Sequence, residues 1–93
     1  MFVKLHKISV RESGEYYLSE VMLNTAQIVY MVEDTGMNSL LHEGKIDIGL
    51  NPMTRFTKIR LSDRSRIEEI TVVGDTDMIE TKMMTSKKKL LRG

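Results

Sequence analysis

The side chains best suited to chemistry in this chain are two histidines and the polar cluster around one of them. His6 and His42 are the only imidazoles, and His42 opens the stretch HEGKIDIG (residues 42–49), which gathers Glu43, Lys45 and Asp47 beside two glycines. A metal site or an acid–base pair would need the imidazoles to converge with carboxylates such as Glu43 or Asp47. Neither HExxH nor HxH spacing occurs, so no metal-ligand pattern is present. The cluster also lacks a nucleophile with an orienting partner, which covalent catalysis requires. The plainer reading is a polar loop whose glycines serve turn geometry, with both histidines on the surface or half-buried. GKIDIG lacks the strand-and-helix context of a phosphate cradle, and no glycine-rich nucleotide fingerprint occurs elsewhere. The sequence therefore points away from an enzyme and calls for no cofactor and no metal.

The second set able to do chemistry is basic. Arg55, Lys58, Arg60, Arg64 and Arg66 lie within twelve residues, and Lys87, Lys88 and Lys89 follow in the terminal stretch TSKKKLLRG (residues 85–93). A basic β-hairpin with aromatic neighbours can hold RNA or single-stranded DNA, phosphates providing affinity and stacking supplementing it. Only Phe56 lies in this stretch, and Glu68 and Glu69 are placed to pair across the strands. A solvated, self-neutralised face is the stronger reading, and nucleic-acid binding stands as the alternative. The terminal lysines fall in and just past the last turn of a helix, where cations complement the dipole. Two leucines, Leu90 and Leu91, are too few for a stable membrane anchor, but they can dock on a neighbouring subunit.

Charge and composition bound the rest. The 93 residues predict one domain, 1–93, with one modest core. Net charge is +1, but residues 1–54 hold 4 Lys/Arg against 7 Asp/Glu, and residues 55–93 hold 10 against 6. Such a split favours self-complementary association or a basic patch on one side. The absence of cysteine rules out disulfides and thiolate sites and fits a reducing cytosol. No run approaches the roughly 18 apolar residues of a membrane span, and MFVKLHKISV is too short and polar for a signal peptide. The chain reads as soluble and cytoplasmic, with no membrane partner; on small-molecule ligands the sequence is silent.

The elements that must position these residues follow from periodicity. FVKLHKISV (2–10) mixes apolar and polar positions in a β-like way, with Val3 and Leu5 on one face and Phe2 and Ile8 on the other. RESG then predicts a turn with Gly14 at positive φ. EYYLSEVML (15–23) and QIVYMVE (27–33) are strands separated by a kink at Asn24-Thr25, where Asn24 can close a local hydrogen bond. With Ile28, Tyr30 and Val32 on one face and Val29 and Met31 on the other, the third strand is expected to be the central, most buried one. FTKIRLSD (56–63) alternates Thr57, Ile59 and Leu61 against Lys58, Arg60 and Ser62, which predicts a half-exposed strand with a basic outer face. DRSR turns the chain into IEEITVVG (67–74), completing a hairpin. At GDTDMIETKMM the period becomes helical, with Asp75 as N-cap, Asp77 in the first turn and Ile79 paired with Met83, so that a helix runs from about residue 76 to 88.

Residues 34–55, DTGMNSLLHEGKIDIGLNPMTR, form an insertion longer than ordinary hairpin connections. MNSLLHEG reads as one short helix ended by Gly44 and KIDIGL as a short edge strand. Long connections more often carry function or mobility than structure. Its apolar residues Met37, Leu40, Leu41, Ile46 and Ile48, together with Met83 and Met84 on the helix, are the candidate protein interface. Met is unbranched and re-packs readily at partner surfaces, and eight Met in this chain exceed what a small core needs. If the insertion is the interface, Leu40→Asp or Leu41→Asp abolishes complex formation and leaves the fold intact.

The segments LNTAQIVYMVED, FTKIRLSD and ITVVGDTDMIETKM together resemble the small FlbD-like proteins of bacterial flagellar operons. In that pattern a strand reaches an "LN" corner, here Leu23-Asn24, and a second strand runs through Ile28 to Glu33. A "T-x-I-x-L" strand follows at Thr57 to Leu61, and a last strand leads into a capped helix over Val72 to Ile79. Short orphan proteins of tailed phages are similar in plan. The chain departs from the family by inserting residues 34–55 where the family turns directly between strands. The resemblance implies a non-enzymatic, self-associating accessory protein without catalytic residues, and its phage branch implies a regulatory or host-modulating role.

These readings converge on an α+β, mainly β fold: a small twisted antiparallel sheet or partly open barrel of about five strands with a C-terminal helix. The expected function is a non-enzymatic protein-interaction or regulatory protein, acting as a homo-oligomer through its sheet edge, helix and insertion. The alternative is a small nucleic-acid-binding protein using the hairpin 55–66 and the tail.

Overall fold

Two hairpins and one tight corner set the architecture. The computed structural model describes the backbone of residues 1–92 and the side chains of residues 1–85. Strand β1 (Phe2–Val10) pairs along its whole length with β2 (Tyr16–Asn24), and β4 (Phe56–Ser62) pairs with β5 (Ile67–Val73). A single 3-10 turn, Thr25–Gln27, leads from β2 to β3 (Ile28–Glu33), and helix α1 (Thr35–His42) follows. Helix α2 (Thr76–Arg92) is the last element among the described residues. All pairings are antiparallel, and the order is β2-β1-β5-β4-β3.

That order has a geometric consequence. β2 and β3 are opposite edges, yet Asn24 and Ile28 are joined by only four Cα steps, about 14 Å at full extension. A flat five-stranded sheet would hold its edges about 19 Å apart, from four gaps of about 4.8 Å. The sheet therefore curls until its edges approach at this corner, although they do not pair and the barrel stays open. Asn24 holds the corner by accepting from the Ala26 amide at 3.1 Å, and the Thr25 amide donates to the Met1 carbonyl at 2.9 Å.

The curl encloses the main core. Val3, Leu5, Leu23, Ile59, Ile70 and Val72 line one face of the sheet, and Ile79 of α2 seals them, with Met31, Leu61 and Met83 packed around the rim. Alternation places these residues on one face because side chains in a strand have period two. α2 starts where the apolar period changes to 3.6. Asp75 caps it by accepting from the Met78 amide at 2.7 Å, and Asp77 complements its dipole.

A second core lies on the opposite face. Ile8, Phe56, Leu41 and Ile46 form it, and Tyr16, Leu18, Met37, Leu40, Ile48, Leu50 and Val73 pack against it. α1 begins two residues earlier than its apolar pattern suggests, because the Asp34 carboxylate accepts from the Met37 amide at 3.0 Å and so caps it. It ends in a Schellman turn: Lys45 N–H donates to Leu40 O, Gly44 N–H donates to Leu41 O, and Gly44 takes φ +72°.

Two expectations from the sequence are corrected. The third strand is an edge and not the centre, because the two hairpins and the short corner leave it only the outer side of β4. KIDIGL is not a strand. It makes no ladder, and Ile46, Ile48 and Leu50 instead turn into the second core.

Candidate protein-interaction surface

β3 gives the surface its shape. Its register on β4 shifts between Ile28 and Tyr30, so Val29 bulges, and beyond it Tyr30, Met31, Val32 and Glu33 oppose Arg60, Ile59, Lys58 and Thr57. Ile28 and Met31 face the main core, while Val29, Tyr30 and Val32 remain 58%, 39% and 45% exposed. The Asp34 amide donates to the Phe56 carbonyl at 2.9 Å. In an antiparallel pair the bonded positions alternate, so Tyr30 and Val32 bond inward to β4. The N–H and C=O groups of Met31 and Glu33 consequently point away from the sheet, along a stretch from Ile28 to Val32 that carries no charge.

The outer face beside this edge is basic but largely self-paired. Lys58 and Arg60 stand where the alternation of β4 puts them, and Arg60 lies directly opposite Glu69. The Tyr30 hydroxyl donates to Glu69 Oε2 at 2.9 Å. Lys58 Nζ and Arg60 Nη1 approach the same carboxylate at 4.0 and 3.9 Å, and Arg60 leans over the Tyr30 ring at 6.0 Å. Glu69 thus offsets two of the five hairpin cations, with the Tyr30 hydroxyl sharing its carboxylate. Arg55 pairs with Glu33, whose carboxylate also accepts from Asn38 Nδ2 at 2.9 Å. Arg64 and Arg66 stand exposed at the hairpin tip. There Asp63 accepts from the Ser65 amide at 3.0 Å, and this bond holds its carboxyl below the usual carboxylate range. Lys87, Lys88, Lys89, Leu90 and Leu91 lie outside the described side chains.

The structure distributes the interface residues expected from sequence between core and surface. Leu41 and Ile46 are 4% and 8% exposed, and Met37, Leu40 and Ile48 pack against the same cluster. The insertion is therefore not a free apolar face, and a Leu41→Asp substitution would put a charge into a core. Met83 packs against the main core, and Met84 is exposed on α2.

The remaining polar candidates do not converge. His6 is exposed on β1 opposite Glu20, whereas His42 ends α1. Among the described residues no three His, Cys, Asp or Glu side chains gather into a group able to hold a metal ion. Glu43 pairs with Lys45 at 3.1 Å, and Gly44 and Gly49 both take positive φ as turn residues. A shallow cleft of about 250 Å³ runs between α1 and the loop before β4, lined by Asn38, His42, Met53 and Arg55 among others. Its best polar groups are already engaged, since Asn38 Oδ1 accepts from the Phe56 amide at 2.7 Å and Arg55 binds Glu33. No helix among the described residues is long and apolar enough to cross a membrane.

The edge position of β3 is hard to read from sequence, because a run apolar on both faces signals burial without saying by what. The signal itself was there. It is the lack of any charge between Ile28 and Val32. No family model matches the chain, and no curated protein or solved structure matches it significantly.

Proposed function

We propose that this chain is a small non-enzymatic interaction protein that works as a homo-oligomer, assembled through the β3 edge of its sheet. One observation carries the reading: a strand with the composition of a central strand occupies an edge. Val29, Tyr30 and Val32 are exposed there beside unpaired backbone groups. Soluble proteins protect such edges with charge, proline, strong bulging or a covering element, because an open edge recruits another strand. β3 has a bulge at one end only, and neither charge nor proline from Ile28 to Val32. β2, the other edge, carries Glu20 at its middle. The self-association implied by the resemblance to FlbD-like proteins, and the regulatory or host-modulating role implied by the resemblance to short phage proteins, fit an assembly of this kind.

Sedimentation of the purified chain over a wide concentration range tests the proposal. Association that rises with concentration and is abolished by Val32→Lys is the expected result. A monomer at millimolar concentration would overturn it. The nucleic-acid reading is less well supported, because Glu69 sits between Lys58 and Arg60. It would regain ground if an oligonucleotide bound at low salt and lost affinity in an Arg60→Ser, Arg64→Ser variant.

A further inference from the structure

We infer that the second copy joins β3 to β3 antiparallel about a two-fold axis through Met31, extending two five-stranded sheets into one of ten strands. The inference rests on the self-association proposed above and fixes its geometry. It begins from the mismatch between what β3 is made of and where it lies. The run from Ile28 to Val32 is apolar on both faces. Within one chain β3 has a neighbour on one side only. Pairing with its own copy places the same run at the centre of a continuous sheet, where such a composition belongs.

The backbone phase restricts the axis, and the cross-strand pairs it creates select among the positions left. The outward N–H and C=O groups belong to Met31 and Glu33, as the Asp34-to-Phe56 bond requires. A two-fold through Met31 sets Met31 against the partner's Met31 as a bonded pair and overlaps Val29 to Glu33 with the same run of the partner. On the outer face the same axis sets Tyr30 against the partner's Val32, and Val32 against the partner's Tyr30. Aromatic and β-branched side chains directly opposite one another are favourable cross-strand pairs. On one side of each pair stands Arg60 and on the other the partner's Lys58, both held back by their Glu69 carboxylates, so no like charges meet at the seam. Glu33 meets the partner's Val29 and keeps Arg55 as its counter-ion. A two-fold contact must be self-complementary, and this register is.

The contact is modest in size. A strand of six residues covers less than the roughly 800 Å² per partner of a standard interface, so the dimer should dissociate on dilution.

The absence of native cysteine allows a direct test of register. Opposite residues in a non-bonded antiparallel pair have Cα atoms about 4.5 Å apart, within disulfide range. Two Tyr30 positions related by this axis are diagonal, about 8 Å apart, and so are two Val32 positions; both exceed the limit of about 7 Å. Tyr30→Cys and Val32→Cys variants mixed under mild oxidation should give a mixed disulfide dimer, whereas either variant alone should give little or none. Equal cross-linking by a single variant, or none in a mixture that sediments as a dimer, overturns the register and leaves self-association standing. If a cysteine substitution dissolves the dimer, intermolecular NOEs between the Tyr30 ring and Val32 methyls in mixed-labelled wild-type protein replace it, and their absence overturns the register. A wild-type chain that sediments as a monomer overturns the functional reading and the register together.

Discussion

Asp34 does two jobs with one carboxylate. Oδ1 accepts from the Met37 amide and caps α1, while Oδ2 accepts from Thr71 Oγ1 at 2.7 Å and ties that cap to β5. Asp34→Ala should therefore destabilise the fold by about 1–2 kcal/mol, whereas Asp34→Asn, which caps equally well, should lose much less; urea denaturation midpoints would show the difference. Gly74 is a second single-residue constraint. Its φ is +112°, its amide donates to Arg55 O at 2.7 Å, and its carbonyl accepts from the buried Thr57 hydroxyl at 2.8 Å. A Cβ there would stand 1.9 Å from Met78 Cε, the free end of a flexible side chain, so the backbone conformation is the harder obstacle. Gly74→Ala should cost about 1–3 kcal/mol, and Met78→Ala in the same chain should recover only part of it. Asp63 gives a pH signature. Its carboxyl is lowered in the folded turn chiefly by the Ser65 amide, so its contribution is present above the ordinary carboxylate range and is lost as pH falls through the folded value. The Ser65 amide resonance should report this loss at acid pH, below the ordinary carboxylate range.

Elements with a clean period were legible in the sequence, and their partners were not. The alternation of Thr57, Ile59 and Leu61 against Lys58 and Arg60 survives intact in β4, as does the hairpin into β5. The Asp75 cap and the positive φ at Gly14 and Gly44 follow from residue type alone. The position of β3 could not be read in the same way, because burial on both faces is satisfied equally by a neighbour in the same chain or in another. KIDIGL has a true alternation, but the residues it buries are covered by α1 and the far face of the sheet instead of a ladder. The insertion thus carries a core of its own. Leu41→Ala should cost about 2–5 kcal/mol, read from thermal or urea unfolding, and a loss under about 0.5 kcal/mol would contradict that placement. On the proposed edge the prediction is the reverse. Val32→Lys should leave stability nearly unchanged, since Val32 is 45% exposed, while removing association.

For the whole molecule, the sheet order interleaves the two halves of the chain. The acidic first half and basic second half meet along shared elements, as in Glu33 with Arg55, and the net charge of +1 sets little repulsion against a second copy. What the single chain leaves open beside the mouth of a curled sheet is the β3 edge, uncharged from Ile28 to Val32. Hydrogen exchange at the Met31 and Glu33 amides tests directly whether a second copy completes it. Both N–H groups point away from β4, so protection at those two amides can come only from outside the single sheet. Their protection should rise with protein concentration in the wild-type chain and vanish in Val32→Lys, while the amides of Ile59, Ile70 and Val72, bonded between β4 and β5, stay protected throughout. Exchange of Met31 and Glu33 at the rate of open solvent, unchanged up to millimolar protein, would contradict assembly through the β3 edge.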